Sequence, residues 1–401
     1  MTSRNDQRPI VACGHLCIDI IPGFPPAASG APAADWFRPG RLFNVGAPTI
    51  GTGGSASNTG LSLHRLGMST RIVARIGDDP LGSLILERVA SHGRELVRGI
   101  RVVPGETTSY TVVLNPPGID RIFYHCPGAN DSFGGADVED AVLEGAGIFH
   151  FGYPPLMRRI FADGGAGLAR LFERARGRGA LASLDLSLPD PSSESGRVDW
   201  KAFLDRVLPR VDVFVPSIEE LLFMEDRPAY DRLSHERGDA MARAVPLAQC
   251  ATLAERALRR GVSVVLIKLG ERGAYLRTGP DAATLVSAVP HGGTGGWRGR
   301  ELYVPVFQVG RVAGTTGAGD AAIAGFLASL AKGLAAEDAL TMAVAVGACC
   351  VEAPDATSGV RSWDATAERV NGGWRRAPVT VPEEGWSCGP DGTWHGPNDR
   401  G

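Results

Sequence analysis

The sharpest chemical pattern lies at residues 314–325, GTTGAGDAAIAG. Glycines and threonines end an extended run, and Asp320 falls at the start of a helical pattern with apolar positions at Ile323, Phe326, Leu327 and Leu330. Free backbone N–H groups at such a turn cradle anionic oxygens, and the helix dipole adds to the attraction. A carboxylate there neighbours a bound phosphate, where a base must sit to accept the proton of an attacking hydroxyl. The same spacing also suits an aspartate that only caps the helix.

A second run, GTGGSASNTG at residues 51–60, packs glycines ahead of Asn58. Such a segment brings backbone amides and one side-chain amide against a polar ligand, or it serves tight helix–sheet packing. GTGGSA also matches a dinucleotide fingerprint with alanine in third place, which would suit an NAD-dependent oxidoreductase. That fingerprint should close the first strand directly, and here it follows about thirty residues later. No Gly-Lys dipeptide occurs, so a Walker-type phosphate loop is absent. The protein-kinase motif set is missing as well.

The elements that must position these residues follow from periodicity. Residues 10–21 are mostly apolar and β-branched and read as one buried strand. Residues 22–40 read as a loop, 42–50 as a weaker strand, 55–67 as a short helix, 70–76 as a strand and 80–92 as a helix. Residues 107–114 and 121–126 read as a hairpin around NPPGID. From residue 148 strands (148–151, 180–186, 211–215, 262–268, 274–277) alternate with helices (160–176, 200–208, 218–224, 247–260). Such alternation implies a mainly parallel sheet covered on both faces, an α/β body. The hairpin material, with residues 38–52 and 105–127, suggests a small β lid. Residues 290–300 read as a glycine-rich loop, 301–308 as a strand, and 318–332 and 336–351 as two helices. Residues 1–373 are thus expected to form the body with its lid, and 374–401 an irregular tail whose Trp374, Trp386 and Trp394 dock on the body or a partner.

The chain has 401 residues and a formal net charge of -3, which gives no electrostatic case for binding nucleic acid or an anionic membrane. Only Lys201, Lys268 and Lys332 are lysines, so a lysine-dependent step has three candidates. Seven cysteines without a CxxC pair suggest a reducing compartment and no zinc site, with Cys13, Cys17, Cys349 and Cys350 as small core residues. The first residues lack a secretory pattern and no long apolar run occurs, so a cytoplasmic protein is expected.

Taken in order, the short motifs resemble those of the ribokinase-type carbohydrate kinases, the phosphofructokinase B family, from about residue 10 to about residue 370. Asp19 in CIDI, Gly53, Gly54 and Asn58 in the glycine run, Gly77, Asp79 and Gly82, the tripeptide Gly128, Ala129, Asn130, the turn Leu269, Gly270, Gly273, and TTGAGD from Thr315 to Asp320 carry the match. The resemblance implies a three-layer α/β/α body with a β-sheet lid, and ATP-dependent phosphorylation of a sugar hydroxyl with Mg2+. It makes Asp320 the base and the amides of Gly317, Ala318 and Gly319 an anion hole. It makes Asp19, Gly53, Gly54, Asn58 and Asn130 sugar ligands. It places Gly270, Gly273 and Thr315 at the nucleotide and Glu220 as the support of Mg2+ through water.

Three positions depart from the family pattern. Ser217 stands where the NxxE motif has asparagine; the resemblance makes it, with Lys268, a nucleotide-binding position whose Mg2+ or phosphate contact is expected to be altered. Gly314 replaces an aspartate that helps hold a monovalent cation, which puts K+ activation in doubt. Lys268 precedes Leu269-Gly270 where relatives have a small residue; it reaches a phosphate or snorkels to solvent. Asp19 as a strand-end cap and Glu220 as a solvated helix residue are the plain alternatives. Tyr110, Tyr124, Asn130, Arg121 and the loop at Tyr153 are candidates for substrate choice. Lid-mediated homodimers are common in the family. A non-catalytic sugar or nucleotide binder of the same fold is the main rival reading.

Overall fold

The computed structural model describes residues 8–25, 36–116, 122–287, 296–379 and 384–401. Its strands are β1 (Ile10–Gly14), β2 (Cys17–Gly23), β3 (Gly46–Gly53), β4 (Thr70–Gly77), β5 (Gly99–Val103), β6 (Tyr110–Leu114), β7 (Ile122–Cys126) and β8 (Ile148–Gly152). They continue with β9 (Leu181–Leu184), β10 (Val213–Phe214), β11 (Val264–Lys268), β12 (Ala274–Thr278), β13 (Glu301–Val304), β14 (Ser387–Cys388) and β15 (Trp394–His395). The main sheet runs β14-β15-β13-β12-β11-β10-β9-β8-β1-β4-β5, parallel from β11 to β5 and antiparallel beyond β11.

Alternate residues of the central strands face opposite cores. Val264 and Leu266 join Phe326 and Leu340 on one face, whereas Val265 and Ile267 join Phe172, Phe203 and Phe214 on the other. Burial on both sides is why these strands are nearly continuous apolar runs. The covering helices carry clear sequence stops. Asp79 caps the helix Pro80–His92 by accepting from Gly82 N at 2.8 Å, and Gly93 follows its end. The helices Ala318–Ala331 and Ala336–Cys350 pack so closely that a Cβ on Gly325 would lie 2.8 Å from the Met342 carbonyl.

The second sheet has the order β3-β2-β6-β7. The single strand expected over residues 10–21 is therefore two strands in two sheets. Gly14, at φ 133 and with no room for a Cβ against the Gly152 carbonyl, lets the chain leave the main sheet for the lid. The expected hairpin is present as antiparallel β6 and β7, and its turn at residues 117–121, with Arg121, lies outside the described residues. The strand expected at 42–50 is shifted to Gly46–Gly53.

The helix expected at 160–176 breaks into Arg158–Ala162 and Ala166–Arg176, because Gly164 and Gly165 both take positive φ. The helices Arg227–Arg237 and Trp363–Asn371 had no strong apolar stripe to announce them. Among its described residues the last segment is mostly turn and coil, with two short strands; β15 pairs with β13 and extends the main sheet. Trp386 packs edge-on to Tyr275 and Tyr303, and Trp374 stacks on Phe307 at 4.5 Å.

Candidate active site

The parallel strands deliver polar side chains from their C-terminal ends, the edge at which open α/β sheets bind ligands. His15 follows β1, Tyr153 follows β8, Asp185 follows β9, Ser217 and Glu220 follow β10, and Lys268 ends β11. Opposite them, the helices Ser55–Arg65 and Ala318–Ala331 begin at Gly54 and Gly317.

Asp320 lies in the first turn of its helix and is buried. It does not cap the helix; the N-cap is Gly317, in the left-handed region at φ 75. A side chain at 317 would also strike Ala356, so glycine is required twice over. Asn58 Nδ2 donates to Asp320 Oδ2 at 3.0 Å, and the Tyr153 hydroxyl donates to the same oxygen at 2.8 Å. Oδ1 has only a long contact with Thr59 Oγ1 at 3.5 Å. Burial raises the Asp320 pKa above the usual carboxylate value, while Asn58, Lys268 and Tyr153 pull it back.

On the lid side, Asp19 sits within β2 and not at a strand end. Burial, with repulsion from Asp320, pushes its pKa up to about 6, although Cys17 and Thr111 offset part of this. Gly53 leaves it room: a Cβ there would lie 2.3 Å from Asp19 Oδ2. Gly54 likewise makes space for the His15 ring. His15 Nε2 meets His125 Nε2 of β7 at 3.3 Å, and His125 Nδ1 lies 3.0 Å from Thr111 Oγ1. This chain of polar groups crosses the seam between body and lid. Asn58 Oδ1 and His15 Nδ1 are buried with no partner. Asn130 is otherwise engaged: its amide donates to Leu16 O at 2.9 Å and accepts from Leu16 N at 3.1 Å. It fixes the β1–β2 crossover instead of offering those groups to a ligand.

On the other side of Asp320 a largely apolar cavity of about 360 Å³ opens between β11–β12 and the helix pair. Leu266, Phe307, Val309, Ala343 and Val351 give it greasy walls, and Lys268, Thr315, Ala318 and Gly319 form its polar end. Gly270 and Gly273 line it as well. Ser217 is not in its wall; it caps the helix Ile218–Glu225. Glu220 Oε2 accepts from Ser217 N at 2.6 Å, so Glu220 is a buried capping-box residue and not a solvated one. Lys268 neither snorkels nor stands free. Its Nζ donates to Asp185 Oδ1 at 2.6 Å, and an ideal Cβ on Gly319 would be 3.8 Å from that nitrogen. Burial opposes its charge, yet Asp185 and Glu220 hold its pKa above the ordinary lysine value.

Asp185, His15, His125 and Thr59 escaped sequence reasoning. Asp185 had a signal, a carboxylate closing an otherwise apolar strand. The histidines had none, because their meeting depends on the fold of the lid.

A buried carboxylate thus stands beside a helix N-terminus, between a polar cleft and a greasy slot. The model of the pfkB family carbohydrate kinases matches residues 28–363. A 2-dehydro-3-deoxygluconokinase of Bacillus subtilis is 26% identical over 80% of this chain and 87% of its own length. Ribokinase of Arabidopsis thaliana, solved with ribose and ATP, superposes with TM-score 0.66 at 19% identity, over 90% of this chain and 98% of its own. A putative ribokinase II from E. coli, solved with ATP and Mg2+, gives 0.65 at 20% identity, over 90% and 99%. The architecture is the ribokinase-like α/β fold with its separate small sheet, and the chain belongs to the pfkB family of carbohydrate kinases.

Proposed function

We propose that this kinase transfers the γ-phosphoryl group of ATP to a hydroxyl of a sugar or sugar-like small molecule, with Asp320 as general base. The carrying observation is Asp320 itself, buried in the first turn of the helix that Gly317 opens, with Oδ2 anchored and Oδ1 lightly held. The substrate hydroxyl gives its proton to Oδ1 as its oxygen attacks the γ-phosphorus. The new O–P bond forms as the bond to the ADP oxygen breaks. The amides 317–319 and Lys268 would face the charge on the transferring group, the Ala318 N–H first releasing the Thr315 carbonyl to which it donates at 3.3 Å; one well-aimed donor is worth roughly 3 kcal/mol.

The adenine fits the apolar cavity, with Gly270, Gly273 and Thr315 in its wall. The sugar occupies the cleft between Asp19, Gly53, Gly54, Asn58 and the lid, where the unpartnered Asn58 Oδ1 awaits a hydroxyl donor. Among the described residues no three His, Cys, Asp or Glu side chains converge as a metal cage. The donor set suits Mg2+ that arrives on the phosphates and keeps its waters. Glu220, aligned by Ser217, and Asp185, whose Oδ2 is unpartnered, would hold those waters. When bound, Mg2+ supplies charge neutralisation. Gly314 brings no carboxylate to the turn, which favours a rate independent of K+. Exposed Phe123 and Tyr124 on the lid edge strand β7 favour pairing of two lids.

The test is ADP release from Mg-ATP across sugars, sugar acids, sugar phosphates and nucleosides. Turnover with one acceptor supports the reading; a chain that binds ATP but phosphorylates none of them counts against it.

A further inference from the structure

Among the described residues, Tyr153 is the one non-glycine residue with positive φ, at φ 64 and ψ 44. That conformation is costly for a bulky side chain, by roughly 1–2 kcal/mol. Pro154 follows directly, and a proline disfavours helical conformations in the residue before it. A strained residue at the end of a central strand, beside the reacting groups, asks for a reason in function. The strained turn places the ring 6.2 Å from that of His15 and sends the hydroxyl to Asp320 Oδ2 at 2.8 Å.

We propose that Tyr153 is a positioning residue for Asp320, its phenol pinning Oδ2 so that Oδ1 is the oxygen that takes the proton. The proposal rests on the reading of Asp320 as base. Asn58 alone would hold Oδ2 by one bond and leave the carboxylate free to swing; two donors on one oxygen fix its plane. Burial and the nearby Asp320 keep the phenol protonated, so it stays a donor throughout the working range. A donor to the charged form also lowers the pKa of the base, against the burial that raises it. The other ionisable groups near Asp320 are Lys268, Glu220, Asp185, Asp19 and Cys350. Tyr153 itself lies near Asp185, Glu220 and the His15 ring, and all of these stay in place in both variants.

The experiment follows the Asp320 carboxyl by 13C NMR in the free chain, assigned with Asp320→Asn, in wild type, Tyr153→Phe and Tyr153→Gly. Loss of one charge-assisted hydrogen bond is expected to raise its pKa by about one unit in Tyr153→Phe, which keeps the ring over the carboxyl. The acidic limb of the pH–rate profile should move up with it, kcat should fall roughly tenfold, and the KM for ATP should stay constant. Glycine accepts the left-handed backbone without strain, so a fold defect in Tyr153→Phe would not recur there. An unmoved pKa in folded Tyr153→Phe, or a wild-type rate in Tyr153→Gly, overturns the proposal. Those results with an inactive Asp320→Asn retire only the role of Tyr153; an active Asp320→Asn retires the base itself.

Discussion

Gly53, which pairs with Cys17 across β2–β3, lies diagonally from Asp19 and so close that a Cβ at residue 53 would sit 2.3 Å from Asp19 Oδ2. The obstacle is a side chain that can turn aside, not backbone. Gly53→Ala should therefore fold with a melting temperature near that of wild type while the carboxylate swings out of the cleft. The expected result is a KM for the sugar raised roughly tenfold, the loss of about one hydrogen bond to a charged group, with the KM for ATP unchanged. Steady-state kinetics with either substrate varied reads this directly.

Asp19 also makes stability depend on pH. Its folded pKa of about 6 exceeds the ordinary 3.8, so the folded chain binds this proton more tightly than the unfolded chain. The stabilisation is present below pH 4 and is lost as pH rises through about 6, amounting to about 3 kcal/mol at most. Asp19→Asn should thus stabilise the free chain at pH 7.5 and flatten its melting temperature between pH 5 and 7.5, while weakening sugar binding. Thermal unfolding across that range is the check.

Part of the candidate site was legible in the sequence, because TTGAGD and the glycine run set local backbone geometry at two helix starts. Asn58 bonds to Asp320, and Gly317 opens the helix that carries it. Other features depended on contacts far apart in sequence. Asn130 turned inward because the β1–β2 crossover leaves Leu16 with backbone groups to satisfy. The partnership of Lys268 with Asp185 joins the ends of two strands 83 residues apart. The apolar run at 10–21 hid a change of sheet, since both halves are buried and periodicity does not report a break at Gly14.

The Lys268–Asp185 pair carries opposite costs when cut from either side. Lys268→Met leaves a buried carboxylate unpaired and should cost roughly 3 kcal/mol of stability as well as raising the KM for ATP. Combining it with Asp185→Asn should restore most of the stability and none of the activity. Urea unfolding of the single and double variants separates the two effects.

The C-terminal segment belongs to the body. Arg300, almost fully buried, pairs with Asp399 at 2.7 Å, and Trp386 covers Tyr275 and Tyr303. A chain ending at residue 373 takes Asp399 from Arg300 but leaves it Glu337, so it should lose roughly 1.5–3 kcal/mol, the worth of a charged hydrogen bond, with more from the uncovered aromatic rings. Chemical denaturation of the truncated chain tests this; an unchanged midpoint would mean that the segment only rests on the surface.

The central claim concerns the base. Asp320→Asn keeps the size of the side chain and its place in the helix but removes the proton acceptor. Its kcat, measured beside wild type with the acceptor that gives turnover, should fall roughly 10²–10⁴-fold while ATP still binds. A variant that keeps near-normal turnover would show that another group, or none, takes the proton.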